Sequence, residues 1–438
     1  MHVAALAILE GPPLCDPDGR LRLNDLRAAI ERRLHLAPRL RRILLRPPLG
    51  LGGPLWVDDP EFDVARHVQT RAIEPPGDEP ALLAACQVLN ERPLGWSRPP
   101  WELWFLTGLK DGTVGMLVRL HHAMADGVAS VALLRALFNA GPDGPSGSAP
   151  PWTPAPAPST RKLLIDSRRR WSARAARLVS TMRHPVEPLH RLRAGAARLA
   201  PYLRDGPAPR TSLNGPLGRR RHLLLARADL RRTKAVAHGH GAKVNDVVLA
   251  AVAGGARDLL RTRGELRPDM VLRASVPVSV RRPSDPMTGG NRVGLMVAPL
   301  PVGEPDPVRR LEAIARATRE RKERPLVGLL ESALMDRAMV CLMNRQRLIN
   351  VFVSNVPGPP TPLFFCGARL VEVFQVGVIQ GNVRVGVGVL SYGNQLDIDL
   401  VADAESVPDL DVFAEGLDRA LRDFGVSVPR SAVGSPAA

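Results

Sequence analysis

Residues 141–160, GPDGPSGSAPPWTPAPAPST, constrain the architecture more than any other part of the chain. Proline has no amide hydrogen to give a helix or sheet, and glycine loses the most freedom on ordering. A stretch built largely from the two reads as a linker. The chain has 438 residues, more than a single core absorbs, since domains run about 100–200 residues each. The linker therefore predicts an N-terminal domain over 1–145, a connecting region over 146–210 and a C-terminal domain over 211–438.

The connecting region continues as a broken helical stretch over 161–204, split by Pro185, Pro188 and Pro201, with twelve Lys/Arg against two acids. It admits two readings: a solvated crossover, or a surface for anionic lipid or for the phosphates of a nucleotide-like substrate. The formal net charge of +17 favours phosphate-rich partners in general. However, 55 of the 60 basic residues are arginine, a bias that a GC-rich genome also produces. No zinc finger or RNP-like aromatic pattern accompanies the charge, so nucleic acid is not an expected partner. Cys15, Cys86, Cys341 and Cys366 have no CxxC spacing, which predicts free thiols, neither a disulfide framework nor a metal site. No apolar run reaches the ~18–20 residues of a membrane span, and Met1 to Glu10 reads as a strand without a basic leader. A cytoplasmic chain is expected.

In the first domain the pattern predicts a strand at 4–9 and a helix capped by Asn24 or Asp25 that runs to about Leu36. A loop at 51–60 and a helix at 80–91 follow. Strands at 101–109 and 112–121 flank the hairpin signal Lys110-Asp111-Gly112. Asp126 then opens a helix, with Val128, Val131, Leu134, Leu137 and Phe138 at helical spacing and Gly141 as its stop. The second domain reads as strands near 221–227, 271–277, 292–300, 349–354, 368–376, 384–391 and 395–402. Helices are expected at 230–238, 246–261, 307–323, 327–348 and 408–424. Without strict alternation of strand and helix, the class is mixed α/β or α+β.

The strongest chemical signal is His121-His122-Ala123-Met124-Ala125-Asp126-Gly127, at the end of a strand and the start of a helix. A histidine there can project into a cleft. A neutral imidazole accepts a proton, and an alcohol becomes a useful nucleophile only as its proton is removed. His122 is the candidate base. His121 is structural or shapes the acceptor site. Asp126 caps the helix, clamps the loop through an arginine, or takes part in proton transfer. Gly127 permits close backbone approach at the turn. A nucleophile elbow, a phosphate-binding loop and HExxH are all absent from the sequence, which leaves direct transfer without a covalent intermediate.

This HHxxxDG motif resembles that of the bacterial wax ester synthase/diacylglycerol acyltransferase family, and further motifs extend the resemblance along nearly the whole chain. Pro54-Leu55-Trp56 with Asp59-Pro60 and Phe62-Asp63 looks like its PLW region, and Arg98-Pro99-Pro100-Trp101-Glu102 resembles its RPLWE segment. Asn214-Gly215-Pro216, Asn245-Asp246, Pro277-Val278-Ser279-Val280-Arg281 and Gly290-Asn291 match its NGP, ND, PVSxR and GN motifs. Asn355-Val356-Pro357-Gly358-Pro359 and Ser391-Tyr392 match NVPGP and the late SY. Gly95 departs from the pattern, standing where the family tends to have Asp.

The resemblance implies two similar chloramphenicol-acetyltransferase-like domains joined by a long crossover, with the active-site channel between them. It implies an O-acyltransferase that takes acyl-CoA as substrate, with no metal and no bound cofactor. The acceptors would be diacylglycerol, giving triacylglycerol, or fatty alcohols, giving wax esters. Such substrates place the protein peripherally at the inner membrane or at lipid droplets. Asn245 is then either a helix cap or a donor to the thioester oxygen. Asn355 belongs to a rigid turn that fixes a domain-crossing strand or else binds the substrate, Pro54 and Trp56 shape the acyl entrance, and Arg281 is a candidate partner for Asp126. Two rival readings share the motif: a condensation-type or polyketide-associated acyltransferase, and a catalytically silent lipid-surface binder.

Overall fold

The computed structural model describes residues 2–48, 51–124, 137–143, 151–183, 206–279, 293–322, 344–377 and 379–428. Its first part contains β1 (His2–Leu9), α1 (Leu23–Arg33), β2 (Arg42–Leu45), β3 (Leu55–Asp58), β4 (Val68–Ala72), α2 (Glu79–Glu91), β5 (Trp101–Thr107) and β6 (Val114–His121). The crossover carries α3 (Thr160–Arg183). There follow β7 (Arg221–Asp229), α4 (Leu230–Gly239), α5 (Val244–Thr262), β8 (Leu272–Ser279), β9 (Val293–Leu300) and α6 (Pro307–Lys322). The last part holds β10 (Val351–Pro357), β11 (Phe364–Phe365), β12 (Ala368–Val376), β13 (Val385–Tyr392), β14 (Gln395–Asp403) and α7 (Leu410–Asp423).

The strands make two six-stranded sheets, ordered β11-β12-β1-β6-β5-β4 and β7-β14-β13-β10-β8-β9, and a small β2-β3 pair. Both large sheets mix parallel and antiparallel neighbours, so the class is mixed α/β. The expected boundary at 211 divides the chain but not the sheets, because β11 and β12 are built into the first sheet. β12 lies antiparallel to β1, with Ala4 opposite Val376.

The first sheet is covered on both faces, which explains the apolar run Val114–Val118 of β6. Val114, Met116, Val118 and Leu120 share a core with Leu26 and Ile30 of α1. Leu117 faces the other way, toward Leu82, Leu83, Cys86 and Leu89 of α2. That second core also takes in Leu223 of β7 and Val401 of β14, so it lies between the two sheets. The second sheet carries α5 and α7 on its other face, through Leu249, Val252, Phe413 and Leu417.

The same junction buries polar groups. On β14, Leu396, Ile398 and Leu400 point into the α5–α7 core, whereas Asp397 and Asp399 turn toward β12 and are wholly buried. Asp397 accepts from the Val373 amide at 2.8 Å, and Asp399 from the Gly377 amide at 2.8 Å. Arg227 of β7 reaches Glu372 of β12 at 2.5 Å and Glu79 of α2 at 2.7 Å, tying both sheets and a helix together.

Burial pushes the Asp399 carboxyl up to about 7, against hydrogen bonds that lower it. Its folded value then exceeds the unfolded one of about 3.9, so the folded state holds the extra proton between them. Stability should therefore fall, by on the order of a few kcal/mol, as pH rises from about 4 through 7. Melting temperatures at pH 5 and pH 8.5 check this. Asp399→Asn should reduce the decline and leave the part due to Asp397, which burial pushes up to about 8; an unchanged decline in that variant would assign it to other groups.

Several local expectations are corrected. α1 starts on Arg22 with no side-chain cap, so Asn24 and Asp25 sit inside its first turn, and it ends at Arg33. Residues 51–60 are not all loop: Leu55–Asp58 pairs with Arg42–Leu45. Residues 344–348 are turn and coil, not the end of a helix, since Gln346 folds its amide back onto Ile349 and across to Asn382. The linker forms no helix or strand over 151–159, yet it is pinned. Arg41 stacks 4.6 Å from the Trp152 ring, and the Ala155 amide donates to Asp58 at 3.1 Å. Cys15, Cys86 and Cys366 are free thiols; Cys86 is buried, with its thiol pushed up to about 12 by burial, and Cys15 and Cys366 are half-buried.

Candidate active site

The histidine pair stands where β6 ends. His121 closes the strand opposite His2 of β1, and its amide donates to the Pro100 carbonyl at 2.9 Å. A turn follows at once: the Met124 amide donates to the His121 carbonyl at 2.8 Å. The apolar Met124 side chain is buried, and Arg39 donates to its carbonyl at 3.0 Å. The turn is thus held from both ends while His122 between them is exposed.

His121 is committed to this turn. Its Nδ1 accepts from the Ala123 amide at 3.1 Å, which puts the ring proton of the neutral form on Nε2. The indole of Trp96 packs 4.4 Å from the imidazole, and Trp56 of β3 lies 6.5 Å beyond Trp96. An aromatic run therefore leads from Pro54 and Trp56 to the histidines. Pro54 itself is exposed just ahead of β3. Trp96 is the residue that sequence reasoning missed. It lies outside the matched motifs, and the available signal was an aromatic two residues before Arg98-Pro99-Pro100-Trp101-Glu102.

That segment has a structural role. Glu102 accepts from Arg98, Arg119 and the Trp104 indole at 3.0, 3.0 and 3.1 Å. Arg119 is 1% exposed and shares β6 with His121, so Glu102 neutralises a buried charge two residues from the turn. The neighbouring Trp101 carbonyl accepts from His67 Nδ1 at 2.9 Å, with the two rings stacked 4.5 Å apart. Burial lowers the pKa of His67, which is a core histidine.

Asn245 and Asn355 come together from α5 and β10, with Asn355 Nδ2 donating to Asn245 Oδ1 at 3.3 Å. The capping reading of Asn245 does not hold. α5 begins at Val244, and Asp246 performs the terminal bond by accepting from the Lys243 amide at 2.8 Å. With Asn355 donating to its Oδ1, the Asn245 side chain keeps its NH2 as a donor. The Asn355-Val356-Pro357 strand end is fixed by the serine of the late serine–tyrosine pair. Ser391 Oγ accepts from the Gly358 amide at 3.1 Å, and a side chain at Gly358 would collide with the Ser391 carbonyl. Asn214 of the NGP turn is remote from this end. It bonds Ile349 and Asn382 at the starts of β10 and β13 and ties down the end of the crossover.

Strand register relates the two clusters. His121 pairs with His2, and Val376 pairs with Ala4, so the histidine turn and the end of β12 occupy one end of the first sheet. They are two strands apart, about 10 Å. At that end Gln375 donates to the carbonyls of Ser354 and Val389 at 2.6 and 3.0 Å, placing Asn355 next to the same end. The histidine turn at the end of β6 and the amide pair from α5 and β10 thus lie toward the same end of the junction between the sheets. Asp126, Gly127 and Arg281 lie outside the described residues, as does most of the helix expected from Asp126. Its end, Leu137 and Phe138, is buried in the first core.

The model of the wax ester synthase/diacylglycerol acyltransferase catalytic domain matches residues 1–248, and that of the WS/DGAT C-terminal domain matches residues 289–424. A relative from Mycobacterium tuberculosis, named as a probable diacylglycerol O-acyltransferase, is 32% identical over 434 residues, covering 96% of this chain and 90% of its own. Among solved structures, the wax ester synthase/diacylglycerol acyltransferase from Marinobacter aquaeolei is similar with a TM-score of 0.67 at 24% identity, over 97% of this chain and 94% of that one. The starter condensation domain of rhizomide synthetase, in complex with C8-CoA, is similar with a TM-score of 0.56 at 18% identity, over 97% and 88%. At such identities the two structures speak to the fold alone.

Proposed function

Because this chain belongs to the wax ester synthase/diacylglycerol acyltransferase family and is therefore an acyltransferase, we propose that it moves a long-chain acyl group from coenzyme A onto diacylglycerol, with fatty alcohols as alternative acceptors. The observation that carries this reading is the convergence of the His122 turn and the Asn245–Asn355 pair on one junction.

In the proposed reaction the acceptor hydroxyl attacks the thioester carbonyl as His122 takes its proton. The C–O bond forms, the oxyanion collapses, and the C–S bond breaks. The departing thiolate recovers the proton from the imidazolium, giving an ester and free coenzyme A. A base so placed contributes about 10²–10⁴-fold. Asn245 Nδ2 donates to the oxyanion, and such a donor stabilises the transition state by about 3–4 kcal/mol. Asn355 orients Asn245. His121, held by Ala123 and Trp96, fixes the turn and walls the acceptor site. Asp126 holds the following loop, with Arg281 as its candidate partner and Gly127 giving the backbone room. The route asks for no metal, bound cofactor or acyl-enzyme.

Release of free coenzyme A from palmitoyl-CoA, followed with a thiol reagent, tests this. Release should depend on added acceptor, whether dioleoylglycerol or hexadecanol. Release at the same rate without any alcohol would mean thioester hydrolysis and would overturn the reading.

A further inference from the structure

The crossover helix α3 has two unlike faces. Leu163 and Ser167 are buried, and Arg170 donates to the Leu51 carbonyl at 3.3 Å, so this side rests on the first domain. The opposite side exposes Leu164, Ile165 and Trp171, at 40, 43 and 67%. These are three of the eight large apolar side chains exposed among the described residues, all within eight positions of one helix. At about 100° per residue, Leu164, Ile165, Arg168 and Trp171 share an arc, flanked by Arg161, Lys162 and Arg169. All four of these cations are exposed. Asp166 is half-buried and is the single acid in the helix.

We propose that this face of α3 docks on an anionic lipid bilayer and delivers the acceptor to the site. The proposal rests on the reading that the acceptor is a lipid alcohol. Apolar side chains interleaved with cations suit an interface that accepts both, with Leu164, Ile165 and Trp171 entering the acyl boundary and the cations meeting headgroup phosphates. The location fits as well. Arg170 anchors α3 to the loop at Leu51, which runs through Pro54 into β3, and from Trp56 the aromatic run reaches Trp96 and His121. Among the described residues no helix is long and apolar enough to cross a membrane. A reversible contact at the surface is therefore the route this helix offers.

Co-sedimentation of the full chain with vesicles decides the matter. Binding to phosphatidylglycerol/phosphatidylcholine vesicles should exceed binding to phosphatidylcholine alone and should weaken steeply with salt. Leu164→Ser/Ile165→Ser/Trp171→Ser and, separately, Arg161→Ser/Lys162→Ser/Arg168→Ser/Arg169→Ser should each reduce it by about tenfold or more. Trp171→Ser alone should give a smaller loss in the same direction. Arg170 is left intact because it holds the helix in place. Turnover of palmitoyl-CoA with a short, water-soluble alcohol should persist in the variants, while turnover of dioleoylglycerol in anionic vesicles should fall with binding. Wild-type protein that ignores anionic vesicles, or folded variants that bind like wild type at every salt concentration, overturns the proposal. Wild-type protein that binds vesicles yet transfers to neither alcohol would instead refute the acyl-transfer reading and leave the docking face standing.

Discussion

His122→Ala should lower kcat by at least about 10²-fold while leaving the fold intact. The turn that presents His122 does not depend on its side chain. It is closed by the Met124 amide on the His121 carbonyl, by buried Met124 and by Arg39. The His122 ring is exposed, so its removal opens no cavity. What is lost is the acceptor for the alcohol proton, which affects the chemical step more than binding, so kcat falls and KM changes little. His121→Ala should cost less activity and some stability, because that ring braces the Ala123 amide and Trp96. A folded His122→Ala protein with near-wild-type turnover would remove the base from the mechanism.

Arg227→Met should destabilise the protein by about 3–5 kcal/mol. Arg227 and Glu372 are 5 and 4% exposed, and Glu79 completes the cluster between the sheets. Burial by itself would lower the Arg227 pKa, but the hydrogen bonds and charges of Glu372 and Glu79 raise it above the ordinary guanidinium value. Without the guanidinium, the Glu372 carboxylate stays buried beside Asp397, whose own carboxyl is already raised by burial and by the Glu372 charge. Adding Glu372→Met to Arg227→Met should recover much of the loss, since an apolar pair of similar size replaces a buried ion pair at little cost. Denaturant unfolding of the two variants measures both steps. An Arg227→Met protein as stable as wild type would show that the cluster does not hold the sheets together.

Most strands and helices were legible because their periodicity matches their burial. The apolar run Val114–Val118 of β6 and the Lys110-Asp111-Gly112 turn before it are readable from local chemistry. The missed features depend on long-range contacts. Alternation along β14 marks Asp397 and Asp399 as a solvent face, and they are buried because β12 crosses over from the first sheet. Short β2 and β3 exist through each other, so neither declares itself alone. At the site, the histidines announced themselves by motif and Asn245 by its neighbour Asp246. Excluding the capping reading required knowing that Asp246 makes the cap, and the pairing of Asn245 with Asn355 depends on β10 lying against the start of α5. Trp96 acquires meaning only once Trp56 and His121 stand on either side of it.

The proposed direct passage of an acyl group from coenzyme A to a lipid alcohol at the His122 junction is tested by following the acyl group itself. Purified protein is given radiolabelled palmitoyl-CoA and dioleoylglycerol in anionic vesicles, and the lipids are separated by thin-layer chromatography. The label should move into triacylglycerol with wild-type protein and remain in palmitoyl-CoA with His122→Ala. Label that stays in palmitoyl-CoA with the wild type, or appears solely as free palmitate, would contradict the account.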